Sequence, residues 1–127
     1  VATSTNIIQI QKGVLETKEL ADTDTTSTID LLAGVADGRR IMRIMVSSNN
    51  VAPGGTYTLI IESYNGTTAA PLAIVTLANT ADTIQFNEVF NDLVLPSTSH
   101  KLRAKMRTTL ATGAKLLFEI RGGDYTA

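Results

Sequence analysis

Thr56-Tyr57-Thr58-Leu59-Ile60-Ile61-Glu62-Ser63-Tyr64-Asn65-Gly66-Thr67-Thr68 is the stretch on which the fold turns. Most of its first nine side chains are β-branched, aromatic or aliphatic. Such residues sit better on a pleated surface than on a helix, where their first torsion is restricted. Asn65-Gly66 follows, and Asn-Gly readily adopts the positive backbone angles of a two-residue hairpin turn. The spacing therefore predicts a strand over 56–64, a two-residue turn at Asn65-Gly66, and a return strand over 70–78.

Reading upstream, Pro53-Gly54-Gly55 is a turn and Arg40–Ser47 a strand. Met42, Ile44 and Val46 form one apolar face of that strand. Ile41 and Met45 make the other face partly apolar, so the strand should be covered on both sides, by the domain or by a partner. Asp37-Gly38 marks a reversal. Ser27–Leu32 alternates, with Ile29 and Leu31 on one face, and Ala21–Thr26 reads as a polar loop. Val14–Leu20 is open between helix and strand, and Asn6–Gln11 reads as a short strand broken by Gly13.

Downstream, Thr83–Phe90 reads as a strand with Ile84, Phe86 and Glu88 on one face, and Asp92–Leu95 as an apolar run stopped by Pro96. Lys101–Leu110 alternates as a strand should. Leu102, Met106 and Leu110 also fall four apart, as on a helix, but the threonines and the Ala111-Thr112-Gly113 turn favour a hairpin with Lys115–Arg121. About eight to ten short strands separated by turns imply an all-β, antiparallel two-sheet sandwich, a jelly roll being one way to connect it. Residues 1–26 are read as an extended N-terminal arm, strand and loop, and residues 27–127 as the sandwich. Its core is expected at Met42, Ile44, Val46, Leu59, Ile61, Leu102, Met106, Phe118 and Ile120.

The chain has 127 residues, 43% of them hydrophobic and 18% charged, enough for one buried core. Threonine supplies roughly one residue in seven. The net charge of −1 argues against binding nucleic acid. The absence of cysteine removes disulfides, thiolate metal sites and cysteine nucleophiles. No apolar run approaches the roughly 18–20 residues of a membrane span, and the N-terminus has no signal-peptide pattern; Val1 is where a mature chain would begin after losing an initiator Met.

No enzyme signature survives inspection. His100 is the one histidine; Ser97 and Ser99 sit beside it without a nucleophile-elbow pattern. Asp22, Asp24 and Asp30 do not have the spacing of a calcium loop. Glu62, Asp82 and Glu88 define no glycosidase pair by sequence alone. Gly54-Gly55 and Gly122-Gly123 do not lie between a strand and a helix as a phosphate loop requires. The reading therefore calls for no catalytic residue, cofactor or metal. Tyr57, Tyr64 and Tyr125 are the aromatic residues from which a sugar-binding platform could be built. The most distinctive surface feature is Lys101, Arg103, Lys105 and Arg107. On a strand these cations recur every 6–7 Å or so and form a ridge that could dock on an acidic partner or phosphates, though a solvated face kept soluble by charge is the favoured reading. Arg40 and Arg43 are added to this set of candidate partner-binding residues.

The cadence of Ser27-Thr28-Ile29-Asp30-Leu31-Leu32, Gly38-Arg39-Arg40-Ile41-Met42-Arg43-Ile44-Met45-Val46-Ser47, Asn91-Asp92-Leu93-Val94-Leu95, Lys101-Leu102-Arg103-Ala104 and Leu117-Phe118-Glu119-Ile120 resembles small β-sandwich virion proteins of tailed bacteriophages. The resemblance covers about residues 27–121. It implies a non-enzymatic capsid decoration, or cement, protein: made in the host cytoplasm, carried on the outer capsid surface, bound to the major capsid protein and associated as a homotrimer. A tail, baseplate or fibre accessory role belongs to the same class, and a carbohydrate-binding module is the alternative outside it. The arm beginning Val1-Ala2-Thr3-Ser4-Thr5-Asn6 and the Arg40–Ser47 strand are the expected interface material.

Overall fold

In the computed structural model residues 10–126 are described. Eight strands follow one another: β1 (Lys12–Ala21), β2 (Ile29–Ala33), β3 (Arg39–Ser48), β4 (Thr58–Tyr64), β5 (Ala69–Thr76), β6 (Ile84–Leu95), β7 (Lys101–Met106) and β8 (Lys115–Asp124). Asp22–Asp24 forms a short 3-10 helix between the first two. The strands make two antiparallel four-stranded sheets, ordered β1-β8-β3-β6 and β2-β7-β4-β5. This is the all-β two-sheet sandwich that the sequence predicts.

One operation generates both strand orders. β4 pairs with β5, β3 with β6, β2 with β7 and β1 with β8. The chain is thus doubled into a single long hairpin whose tip lies between β4 and β5. Wrapping that ribbon sends alternate pairs into opposite sheets and creates the remaining contacts, β3 with β8 and β4 with β7.

The tip lies one residue later than expected. Tyr64 pairs with Ala69, and the Asn65 N–H donates to the Thr68 carbonyl at 3.1 Å, so Gly66-Thr67 is the two-residue turn. Gly66 supplies the positive φ, +97°. Asn65 pins the turn instead of occupying it: its Oδ1 accepts the N–H groups of Thr67 and Thr68 at 2.9 and 2.7 Å.

The inner faces meet in one cluster that includes Leu20, Leu31, Ile44, Val46, Leu59, Ile61, Leu102, Met106, Phe118 and Ile120. Eight of the nine expected core residues are buried, and Met42 is the exception. Against β8 the register of β3 shifts between Ile41 and Arg43, which makes Met42 the extra residue of a bulge, while against β6 the shift at the same place puts the extra residues on β6. Ile41, expected on the outer face, is therefore fully buried. Gly122 faces this bulge: a Cβ there would run into the Arg40 carbonyl oxygen.

Three further sequence readings change. Val14–Leu20 belongs to a strand with Gly13 inside it, and this strand pairs along its whole length with β8. The runs 83–90 and 92–95 are one continuous strand, β6. The helical alternative for 101–110 fails, because Lys101–Met106 is a strand and Leu110 is buried from the loop that follows. The expected strand Asn6–Gln11 and the head of the arm lie, up to residue 9, outside the described residues.

Polar side chains fasten the ends of the sandwich. Ser48 Oγ donates to the Thr80 carbonyl at 2.8 Å and accepts the Thr83 N–H at 3.1 Å. Asn49 holds the far loop through Val51, Lys115 and Gly113. At the opposite end, Arg39 bonds Asp124 twice, Nε to Oδ1 at 2.7 Å and Nη2 to Oδ2 at 3.1 Å. Its Nη1 also donates to the Ala33 carbonyl of the other sheet at 2.9 Å, so one guanidinium ties β3, β8 and β2 together. Hydrogen bonding from Arg39 holds the Asp124 carboxyl below its ordinary value of 3.8 against the opposing effect of burial, helped by the charges of Arg39 and Lys12.

Candidate functional site

The six candidate cations do not form one surface. Lys101, Arg103 and Lys105 alternate with buried Leu102, Ala104 and Met106 along β7, and so project from the outer face of the second sheet. Arg107 lies just beyond the strand and is exposed. Arg40 and Arg43 are on β3, in the first sheet.

The β7 ridge is laced with carboxylates. Antiparallel pairing sets Asp30 of β2 and Glu62 of β4 directly opposite Arg103, one on each side. Asp30 takes Lys101 Nζ at 3.0 Å and Arg103 Nε at 3.2 Å, while Glu62 lies 3.9 Å from Lys105 Nζ. The Arg103 guanidinium also stacks over the Tyr64 ring, 4.2 Å from its centre. The Lys101 hydrogen bond, with the charges of Lys101 and Arg103, draws the Asp30 carboxyl below its usual value. Sequence spacing found the cations but could not show that neighbouring strands bring their counterions.

The outer face of the first sheet is different. Directly opposed residues on paired strands share a face, and this gives three rows across β1, β8, β3 and β6: Leu15–Arg121–Arg43–Val89, Thr17–Glu119–Met45–Asn87, and Glu19–Leu117–Ser47–Ile84. Leu15 is 63% exposed, Ile84 62%, Val89 57% and Leu117 38%. Val94, opposite Arg40 in the same sheet, is exposed as well. The face curls into an open groove of about 640 Å³, lined in part by Thr17, Met45, Ser47, Leu117 and Glu119. Arg43 stands between Arg121 and Val89 in the first row, and Arg40 reaches across to the Asn91 carbonyl at 2.7 Å. Half of each rung of this surface comes from β1 and β6; the sequence reading puts Ile84 and Phe86 on one face of β6, but the register shift between Val46 and Ser47 leaves Ile84 outward while Phe86 packs against the core.

The remaining candidates are occupied locally. Ser97 Oγ lies 2.7 Å from His100 Nδ1 and 3.0 Å from Ser99 Oγ, within a turn closed by the His100 N–H and the Ser97 carbonyl. Among the described residues no carboxylate hydrogen-bonds to this ring, so the third member of a triad is not supplied. Asp24 accepts the Ala21 N–H at 2.8 Å, and Asp30 belongs to the β7 ridge. No group of three or more metal-ligating side chains occurs among the described residues. Tyr57 packs on the core, Tyr64 lies under Arg103 with its hydroxyl donating to the Gly66 carbonyl, and Tyr125 lies against Gly38.

No family model and no curated protein matches the chain. Among solved structures it is similar to a chain in the acid-stable capsid of Helicobacter pylori bacteriophage KHP30. That match has a TM-score of 0.65 and 12% identity, covering 93% of this chain and 92% of that one. The Drosophila NLP core matches at a TM-score of 0.49, 10% identical, over 89% of this chain and 98% of that one. A chain of infectious bursal disease virus, Gx strain, matches at a TM-score of 0.32 and 11% identity, over the whole of this chain and 41% of that one. At 12% identity the likeness to the KHP30 chain is one of fold.

Proposed function

We propose that this chain is a non-enzymatic structural protein of a bacteriophage virion: a capsid decoration protein that binds the major capsid protein lattice from outside as a homotrimer. The observation that carries this reading is the alignment with the phage KHP30 capsid chain over nearly the full length of both. The two chains are almost equal in length, so the likeness is to one small sandwich within a capsid and not to one domain of a much larger subunit. The strand orders β1-β8-β3-β6 and β2-β7-β4-β5 are those of a doubled ribbon wrapped into a jelly roll, an architecture used in capsids.

The docking surface in this reading is the outer face of the first sheet. Exposed apolar groups on one face mark interaction surfaces, and Leu15, Val89, Leu117 and Ile84 all stand on this face, interspersed with polar side chains. Arg40 then acts at the margin of this face, while Lys101, Arg103 and Lys105 on the other sheet, with Arg107 just beyond their strand, contribute only longer-range charge that orients the approach. Many identical sites on a lattice add avidity to each weak contact.

The test is addition of the isolated protein to expanded capsids lacking it. It should occupy discrete lattice positions and raise the temperature or denaturant needed to disrupt the shell, because binding to the intact lattice stabilises it by mass action. Leu117→Glu should lower occupancy at least tenfold in a protein that remains folded. No binding of the wild-type protein to any capsid would overturn the reading and favour the tail.

A further inference from the structure

Strand β6 is an open sheet edge with an unusual composition. It is 12 residues long, and its only charged residues are Glu88 and Asp92. Among the described residues it pairs on one side alone, with β3. The other three edges are blunted in recognised ways. β1 carries Lys12, Glu16, Lys18 and Glu19; β2 has five residues and a register shift; β5 contains Pro71 and another shift. β6 has no lysine and no proline, and it presents Ile84, Val89 and Val94 beside its free backbone groups. A long edge with only two charges, both acidic, and with exposed apolar side chains is a site for adding a strand.

We infer that β6 accepts residues 1–9 of a second copy of this chain as an added antiparallel strand. This rests on the homo-oligomer of the reading above, though not on the capsid as its partner. Val1-Ala2-Thr3-Ser4-Thr5-Asn6-Ile7-Ile8-Gln9 contains no acid and no base, so it meets the acidic edge without repulsion. Five of its nine residues are β-branched, the types that pair best in a sheet. Fully extended, nine residues reach about 30 Å, enough to pair with most of β6.

Geometry favours a neighbour's edge over the chain's own. The described chain begins just ahead of β1, where the Gln11 N–H donates to the Asp124 carbonyl at 2.8 Å. Its own β6 is at the opposite edge of the sheet, three strand spacings or about 14 Å away. Crossing that width would use about half of the segment before pairing began. Each copy has one donor segment and one acceptor edge, so the contact is head-to-tail, and three copies can close it into a ring.

Two variants and their mixture test this without capsids. The first lacks residues 1–9 and keeps its edge. The second carries Ile84→Lys and Val89→Lys and keeps its segment. Native mass measurement should show the wild type as an oligomer and each variant as a monomer with an unchanged β-sheet circular dichroism spectrum. An equimolar mixture should give one-to-one heterodimers, because each variant retains the half that the other lacks. Hydrogen exchange in the wild type should slow along β6 relative to the truncated variant. The inference is overturned if the truncated variant keeps the wild-type mass, which would indicate edge-to-edge or face-to-face contact, if the mixture stays monomeric, or if the wild type is itself monomeric. Complementation in the mixture, together with a wild-type oligomer that binds no capsid, would instead uphold the exchange and sink the decoration reading.

Discussion

Replacing Asp124 with Asn tests whether the Arg39 clamp holds the end of the sandwich. In the native protein the carboxylate makes two bonds to the guanidinium, with the side chains only 17% and 6% exposed for Arg39 and Asp124. Breaking a fully buried pair costs about 3–5 kcal/mol. Here Asn retains one acceptor oxygen, and Arg39 keeps both its bond to the Ala33 carbonyl and some access to water. The expected loss is therefore about 2 kcal/mol near neutral pH. In urea this is a midpoint shift of roughly 1 M for a domain of this size. The pH dependence supplies the sharper criterion. The Asp124 carboxyl is held below 3.8 in the folded state, so its contribution is complete above the unfolded value and disappears as the pH falls through the folded one. Urea unfolding of wild type and Asp124→Asn at pH 7 and pH 3 should show the gap narrowing at the lower pH. A gap of the same size at both pH values would show that the charged pair is not its source.

Other substitutions probe separate parts of the fold and surface. Phe118→Ala removes a side chain that is 1% exposed at the centre of the core, and should lower unfolding free energy by about 3–5 kcal/mol in the same assay. Gly122→Ala forces β8 away from the β3 bulge; thermal melting should fall by several degrees, while Gly13→Ala, with nothing within 4 Å of its added carbon, should change little. Arg107→Glu is the clean electrostatic probe of docking. In contrast, reversing Arg103 would set a third carboxylate between Asp30 and Glu62, so capsid occupancy should be read on the Arg107 variant and against added salt.

Alternation made the inner faces of β4, β7 and β8 legible, because a two-residue period survives wherever pairing is regular. It failed on β3, where a bulge changes the phase and exchanges Met42 for Ile41. The clue was in the sequence, but in another strand. Gly122-Gly123 was weighed as a phosphate loop, whereas glycine within a strand marks close backbone approach. β1 was obscured for a different reason: Glu16, Lys18 and Glu19 leave it without apolar alternation, and its partner lies about a hundred residues away in the chain. The β7 cations were visible as a stripe, yet their meaning depended on Asp30 and Glu62, which only strand order brings beside them.

The pairing of β1 with β8 also sets a schedule for synthesis. Ala21 ends the first strand and its partner Lys115 begins the last, so β1 leaves the ribosome long before it can be paired. At about 5–20 residues per second the wait is on the order of 5–20 s. During that interval β1 is an unpartnered strand in a crowded cell, and Lys12, Glu16, Lys18 and Glu19 keep it from the wrong neighbours. β6 needs no such guard at birth, because β3 has already emerged to receive one of its sides. The charges that hid β1 as a strand are thus protection for a chain still being made.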